Sequence, residues 1–248
     1  MANAKPLTRL YFRGDIAAHG ECRLPPAAAH HVQHVLRLHP GAALTLFDGE
    51  GVERDAVIVR VGQGGVTVQV GAQRAVDRES PLRIVLAQGV SAGERMDYTI
   101  QKAVELGVTA VQPVVSSRSV VRLDAQRGAK RVAHWQAVAA AACEQCGRNR
   151  VPLVQPVMPF ASWLGACDPR ATQALLLSPR ATLGVRDLQR PGTAITLLAG
   201  PEGGLAPEEQ QAAERAGFTP VKLGPRVLRT ETAAVAAIAA LQTLWGDF

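Results

Sequence analysis

Two glycine-anchored turns near the end of the chain constrain it most, because each follows directly on a short apolar run. The first run, Ala194-Ile195-Thr196-Leu197-Leu198-Ala199, breaks into Gly200-Pro201-Glu202-Gly203-Gly204. The second, Val221-Lys222-Leu223, breaks into Gly224-Pro225-Arg226-Val227-Leu228-Arg229-Thr230-Glu231, and an alanine-rich stretch then runs to Trp245. Short apolar runs that end in Gly/Pro clusters are the pattern of buried strands in a mostly parallel sheet. Ligands of such sheets bind in the loops beyond the carboxyl ends of the strands. Two such loops in one chain predict a small-molecule site built largely from main chain.

The chemistry of the loops narrows the ligand. Gly200, Gly203, Gly204 and Gly224 can take a positive φ or let a ligand approach the backbone closely. Pro201 and Pro225 restrict the chain and remove N–H groups, leaving carbonyls free as acceptors. Thr230 or Thr232 is expected to cap the final helix, so that N–H groups near Glu231 face the loop and favour an anionic ligand group. Carbonyls, amides and apolar walls together suit a ligand such as S-adenosylmethionine, with an adenine to sandwich, a carboxylate and a sulfonium.

Other chemistries find less support. No GxGxxG follows the first strand of the alternating region, where the loop reads Gln88-Gly89-Val90-Ser91-Ala92-Gly93-Glu94, and no phosphate-binding P-loop is present. Cys143-Glu144-Gln145-Cys146 has the spacing of half a zinc site, but no second CxxC or histidine pair matches it. His30, His31 and His34 fall within one predicted helical turn without an acidic or third ligand nearby, so they read as core or RNA-facing histidines. No metal is expected.

At 248 residues the chain has room for one large or two small domains. A hydrophobic fraction of 47% with 19% charge is ordinary for a soluble globular protein. The formal charge of +6 and a pI near 9.6 favour a polyanionic partner. Residues 1–6 are polar and carry no apolar signal segment, no run reaches membrane-spanning length, and the four cysteines show no disulfide framework. A reduced cytoplasmic setting is the expectation.

Along the chain, residues 7–12, 42–47, 55–61 and 66–70 read as strands of a small β-rich unit, interrupted by one helix over 27–38. A polar stretch at 74–81 reads as a linker. Strands and helices then alternate: strands at 82–87, 110–115, 153–157, 175–177, 195–199 and 221–223, helices at 95–106, 131–146 and 160–164. Such alternation predicts an α/β domain. The boundary is set between residues 73 and 74, giving domains of 1–73 and 74–248. The first is nearly neutral. In the second, Arg118, Arg122, Arg127, Lys130 and Arg131 cluster against Asp124 alone, with Arg148 and Arg150 after the long helix. This basic stretch reads as a surface tracking an RNA backbone.

The paired sequences GPEGG and LGPRVLRTET resemble the signature of the SPOUT superfamily, and in detail the chain resembles its RsmE family of 16S ribosomal RNA (uridine-N3) methyltransferases. The resemblance extends through His30-His31 and Val35-Leu36-Arg37, Glu94-Arg95-Met96, Gln101-Lys102, Glu105-Leu106-Gly107 and the stretch from Cys143 to Pro152. It implies a PUA-like, RNA-binding β-barrel, then a parallel-sheet domain with a C-terminal trefoil knot, and a homodimer acting on 16S ribosomal RNA in the small subunit. Two departures stand out, Ala92 where the family often has a basic residue and Ala206 where Ser or Thr is usual.

The resemblance also implies a methyl-donor site of three loops. These supply Leu177 and Ser178; Leu198, Ala199, Gly200, Pro201, Glu202 and Gly203; and Leu223, Gly224, Val227, Leu228, Arg229, Thr230 and Thr232. For chemistry at uridine N3, Arg229 is the candidate to stabilise charge on a base oxygen. Glu202 and Glu231 are the candidates to accept the proton, with water as a further possibility and a pairing of Glu231 with Arg229 as the alternative to a catalytic role. RNA contacts are assigned to Arg9, Arg13, Arg118, Arg122, Arg148 and Arg150. Methylation at a ribose 2′-hydroxyl or another position, or a non-catalytic ribosome-binding role, remain the rival readings.

Overall fold

The structure, a computed structural model, describes residues 8–120, 124–168, 170–192 and 194–248. Arg122, residues 1–6 and the start of the first expected strand lie outside the described residues. Compactness divides the chain into one unit of Met1–Glu79 with Ala140–Val151 and another of Ser80–Ala139 with Pro152–Phe248.

The first unit carries β1 (Thr8–Tyr11), β2 (Gly20–Arg23), α1 (Pro26–His30), β3 (Ala43–Phe47), β4 (Glu53–Gly62) and β5 (Gly65–Arg74). They form one sheet in the order β1-β3-β4-β5-β2, parallel between β1 and β3 and antiparallel elsewhere. Alternation builds the core: Val66, Val68 and Val70 on β5 face inward with Leu10, Leu44, Leu46 and Ile58. β2, antiparallel to β5, was not expected, because Gly-Glu-Cys-Arg carries no apolar run. The helix expected over 27–38 is shorter. After α1 the chain widens into a π-helical turn, His31–Val35, and stops where Arg37 takes a left-handed φ of 51°.

The polar stretch read as a linker is bonded throughout. Asn149 Nδ2 donates to the Val76 carbonyl (3.0 Å), Arg78 Nη1 donates to the Gly147 carbonyl (2.9 Å), and Arg148 pairs with Glu79. These bonds explain why Ala140–Val151 groups with the first unit although a single cut after residue 73 places it in the second. Glu53 is buried among cations, 2.5 Å from Arg9 Nη1 and 3.3 Å from Arg78 Nη1. Burial works to raise the Glu53 carboxyl, but the hydrogen bonds and charges of Arg9 and Arg78 outweigh it and hold it below the usual carboxylate range.

The second unit holds β6 (Arg83–Gly89), α2 (Glu94–Glu105), β7 (Ala110–Val115), β8 (Leu153–Val154), β9 (Met158–Pro159), α4 (Phe160–Ala166), β10 (Gln173–Leu177), β11 (Ala194–Ala199), α5 (Pro207–Ala216), β12 (Thr219–Val221) and α6 (Thr230–Trp245). Between β7 and β8 runs α3 (Ala125–Cys146), whose last turns group with the first unit. The sheet order is β12-β10-β11-β6-β7-β8, with β9 also on β7, and every pairing is parallel. A parallel sheet needs both faces covered. One face packs Phe160, Trp163, Leu205 and Phe218; α2 and α6 pack together and bury Met96, Ile100, Val104, Ile238 and Leu241. The buried Gln242 fastens α6 by donating to the Leu106 carbonyl (2.8 Å) and accepting from the Ser80 hydroxyl (2.6 Å).

Two helix starts do without a Ser or Thr hydroxyl cap. Thr230 is the first residue of α6, not its cap, and no side chain caps that helix. At α5 the cap position is Ala206, whose N–H donates to Glu209 Oε2 (2.9 Å). Glu209 at the third helical position thus binds back on the turn, the carboxylate half of a capping box.

The Glu53 cluster gives a pH signature. Its carboxyl titrates below the unfolded value of about 4.3, so its contribution is full above that value and is lost as pH falls through the lowered folded one. Glu53→Gln is expected to cost about 3 kcal/mol at pH 7 by leaving Arg9 without a counter-charge, and to melt with a smaller pH dependence than the wild type in acid. Thermal melts of both proteins from pH 7 to pH 3 check this.

A candidate ligand site at the strand ends

Leu177, Ala199 and Val221 end β10, β11 and β12, three neighbouring strands of the parallel sheet. The loops that leave them enclose a cavity of about 560 Å³, within the range of small-molecule sites. Of the residues expected there, the cavity is lined by Leu177, Ser178, Ala199, Gly200, Pro201, Glu202, Gly203, Leu223, Val227, Leu228, Arg229 and Thr230, and by Glu231. Leu198, Gly224 and Thr232 do not line it: Leu198 is fully buried in the core, where strand alternation turns it to the covered face, and Thr232 is exposed on α6.

Glycine shapes the loops by letting main chain touch main chain. A Cβ on Gly89, at the end of β6, would lie 2.3 Å from the Pro201 nitrogen; one on Gly200 would lie 2.9 Å from the Leu205 nitrogen. Any larger residue at Gly89 would push the first loop off the strand. Gly204, at φ 67°, and Gly224, at φ 105°, take backbone angles that L side chains avoid. α6 begins at the cavity wall, so its first unpaired N–H groups are at hand for an acceptor.

The side chains sort into roles that the sequence left open. Glu202 Oε1 accepts from the Ala92 N–H (2.8 Å) and from Arg95 Nη1 (3.1 Å), tying the first loop to the start of α2. Burial works to raise this carboxyl, but the amides of Ala92 and Glu202 and the Arg95 guanidinium outweigh it and hold it below the usual carboxylate range. A carboxylate held ionised in this way is a weak proton acceptor. Because the Ala92 contact is made by its N–H, the family departure at that position leaves it intact. Arg229 is exposed, lines the cavity, and forms no ion pair with Glu231 among the described residues. Arg95, Lys222 and Arg226 also line the cavity. They were missed because each lies outside the glycine-rich stretches or carries no spacing signal of its own.

The arginines assigned to RNA divide. Arg9 is turned inward: beyond Glu53 it donates to Asn149 Oδ1 (2.6 Å) and its guanidinium lies 4.8 Å from the Phe47 ring centre. Arg148 is 4% exposed and paired with Glu79. Arg148 is buried and Arg9 largely so, each paired with a carboxylate, a placement that leaves little guanidinium surface for the RNA contacts expected of them. Arg13 and Arg150 are exposed on the first unit, and Arg118 is exposed on the second, where Nη1 donates to the Gly203 carbonyl (3.3 Å). Cys143 is buried, a free thiol that donates to the Arg150 carbonyl (3.5 Å); a hydrogen bond with the Cys146 thiol and burial push its pKa up. The His30 and His34 rings lie with centres 4.6 Å apart, tilted by 43°. Among the described residues no cluster of His, Cys, Asp or Glu could hold a metal, and no helix is long and apolar enough to cross a membrane.

Comparison with known proteins agrees with this geometry. Residues 78–242 match the family model of an RNA methyltransferase domain and residues 24–71 that of an RNA methyltransferase PUA domain. Ribosomal RNA small subunit methyltransferase E of Buchnera aphidicola is 32% identical over 246 residues, 98% of this chain and 96% of its own. The structure of a ribosomal RNA small subunit methyltransferase E from Neisseria gonorrhoeae bound to S-adenosylmethionine is 44% identical, with a TM-score of 0.93 over 98% of this chain and 99% of that one. A Legionella pneumophila protein solved with bound S-adenosylmethionine is 38% identical, with a TM-score of 0.94 over 98% and 100%. The fold is the SPOUT-type parallel-sheet domain preceded by a PUA-like unit, and the chain belongs to the ribosomal RNA small subunit methyltransferase E family.

Proposed function

We propose that the protein transfers a methyl group from S-adenosylmethionine to N3 of a uridine in the 16S ribosomal RNA of the small subunit. The observation that carries this reading is the cavity where three strand-end loops meet, walled by Leu177, Leu223 and Leu228 and by the main chain of Gly200 and Gly203. The residues fit the cofactor: apolar walls and carbonyls suit an adenine, while the start of α6 and the cations Lys222 and Arg226 suit a carboxylate. When bound, the cofactor supplies an electrophilic methyl on a sulfonium. The deep trefoil knot and the homodimer implied by the resemblance belong to the same reading. In support, β12 lies across β10 from β11, and Tyr98, Leu244 and Phe248 leave apolar surface that a second copy would cover. The setting is the cytoplasm, where ribosomal subunits are made.

Methylation at N3 requires the imide proton to leave and the base to be turned out of any pairing. Arg229 donates hydrogen bonds to a uracil carbonyl oxygen as negative charge develops there, the part played by oxyanion donors elsewhere. Glu231, beside it on the cavity wall, takes the proton directly or through water, whereas Glu202 anchors the first loop to α2. The exposed Arg13, Arg118 and Arg150 meet RNA phosphates, and the folded subunit supplies specificity.

Incubation with small subunits lacking the modification and labelled S-adenosylmethionine, followed by nucleoside mass spectrometry, tests the reading. Labelled 3-methyluridine is the expected product. A ribose methyl would place the chemistry at a 2′-hydroxyl, and absence of both label and cofactor binding would favour a non-catalytic ribosome-binding role. Arg229→Ala is expected to lower turnover by about 100-fold or more with cofactor affinity nearly unchanged, which single-turnover assays and calorimetry measure. Alanine at Arg13, Arg118 or Arg150 is expected to reduce the slope of log affinity against log salt by about one each, read from subunit-binding titrations.

A further inference from the structure

We infer that Gln88 is a positioning residue for the cofactor site, acting through Thr230 to hold the two glycine-rich loops in register. The inference rests on the reading that the cavity takes S-adenosylmethionine. Gln88 is fully buried near the end of β6 and does not itself line the cavity. Its Nε2 donates to Thr230 Oγ1 (2.9 Å) and to the Gly89 carbonyl (3.0 Å), with the Gly200 carbonyl at 3.4 Å. Thr230 Oγ1 in turn lies 2.5 Å from the Gly200 carbonyl. A carbonyl can only accept, so the Thr230 hydroxyl donates to Gly200 and keeps a lone pair for Gln88. The amide nitrogen is turned the same way, because it faces two carbonyls.

The result is a directed relay from β6 through the first residue of α6 to the first loop. Gly200 and Thr230 both line the cavity, yet α5 and β12 lie between them in the chain. Gln88 fixes both to β6, which pairs directly with β11. Fold stability alone gives no reason for glutamine here. Its Oε1 is buried without a hydrogen-bond partner among the described residues, and such an acceptor is a cost that an apolar residue of similar size would avoid. What glutamine adds is the bond that holds Thr230, and through it the loop, in the shape the ligand needs before it arrives.

The test separates that role from folding. Gln88→Leu and Thr230→Val are each expected to weaken S-adenosylmethionine binding by about tenfold or more in calorimetry, with the double variant no weaker than the worse single one. Gln88→Leu should melt at or above the wild-type temperature, and Thr230→Ser should recover most of the affinity lost in Thr230→Val. In methyl transfer the loss should fall on the KM for S-adenosylmethionine more than on kcat. Wild-type affinity in Gln88→Leu, or a loss of affinity that tracks a lowered melting temperature, would overturn the clasp while leaving the cofactor reading in place. A wild-type protein that binds no S-adenosylmethionine would overturn both.

Discussion

The end of β6 and the loop after β11 meet main chain to main chain, and the cavity of the second unit depends on that meeting. Gly89 leaves no room for a Cβ beneath Pro201, so the first loop lies directly on the neighbouring strand. From there it can turn back at Gly204 and reach α5, while Glu202 extends sideways to the start of α2. Parallel pairing brings the ends of β10, β11 and β12 to one edge, and short glycine-rich connections keep the loops tight against them. The site is therefore a property of backbone packing first and of side chains second.

Electrostatics divides the basic charge of the chain between interior and surface. Arg9 and Arg78 neutralise Glu53 in the first unit, and Arg148 neutralises Glu79. Breaking such pairs by removing one partner costs more than the pairs themselves contribute, because the other charge is left buried. These cations fix the segment after β5 to the turn after α3. The exposed Arg13, Arg118 and Arg150, by contrast, face solvent, and in the proposed function they are the ones that meet phosphates, where strength varies with salt. Composition cannot tell the two groups apart, since both raise the net charge equally.

The parts of the site that were legible in the sequence are those with strong local signals. Gly and Pro clusters after apolar runs located the loops after β11 and β12, because both residue types act through the backbone alone. Short apolar runs located most strands of the parallel sheet. What was not legible depends on contacts distant in sequence. Gln88 stands at the end of an apolar run and gives no hint that it reaches Thr230. Arg9 and Arg148 look like any surface arginine until Glu53 and Glu79 are seen beside them. The polar stretch after β5 has the composition of a linker and the bonding of a structural element, and Thr230 has the character of a cap but spends its hydroxyl on Gly200. Where the family resemblance named Leu198 and Thr232, strand alternation and helix phase turned them away from the cavity.

The most direct measurement is calorimetric titration of S-adenosylmethionine into the wild-type protein and into Gly89→Ala, with circular dichroism to follow folding. If the cavity is made by the backbone contact of β6 with the first loop, the wild type binds, and the folded variant loses affinity by about tenfold or more although no side chain of the site has changed. Equal affinity in the two proteins would contradict that account, and so would a wild-type protein that does not bind.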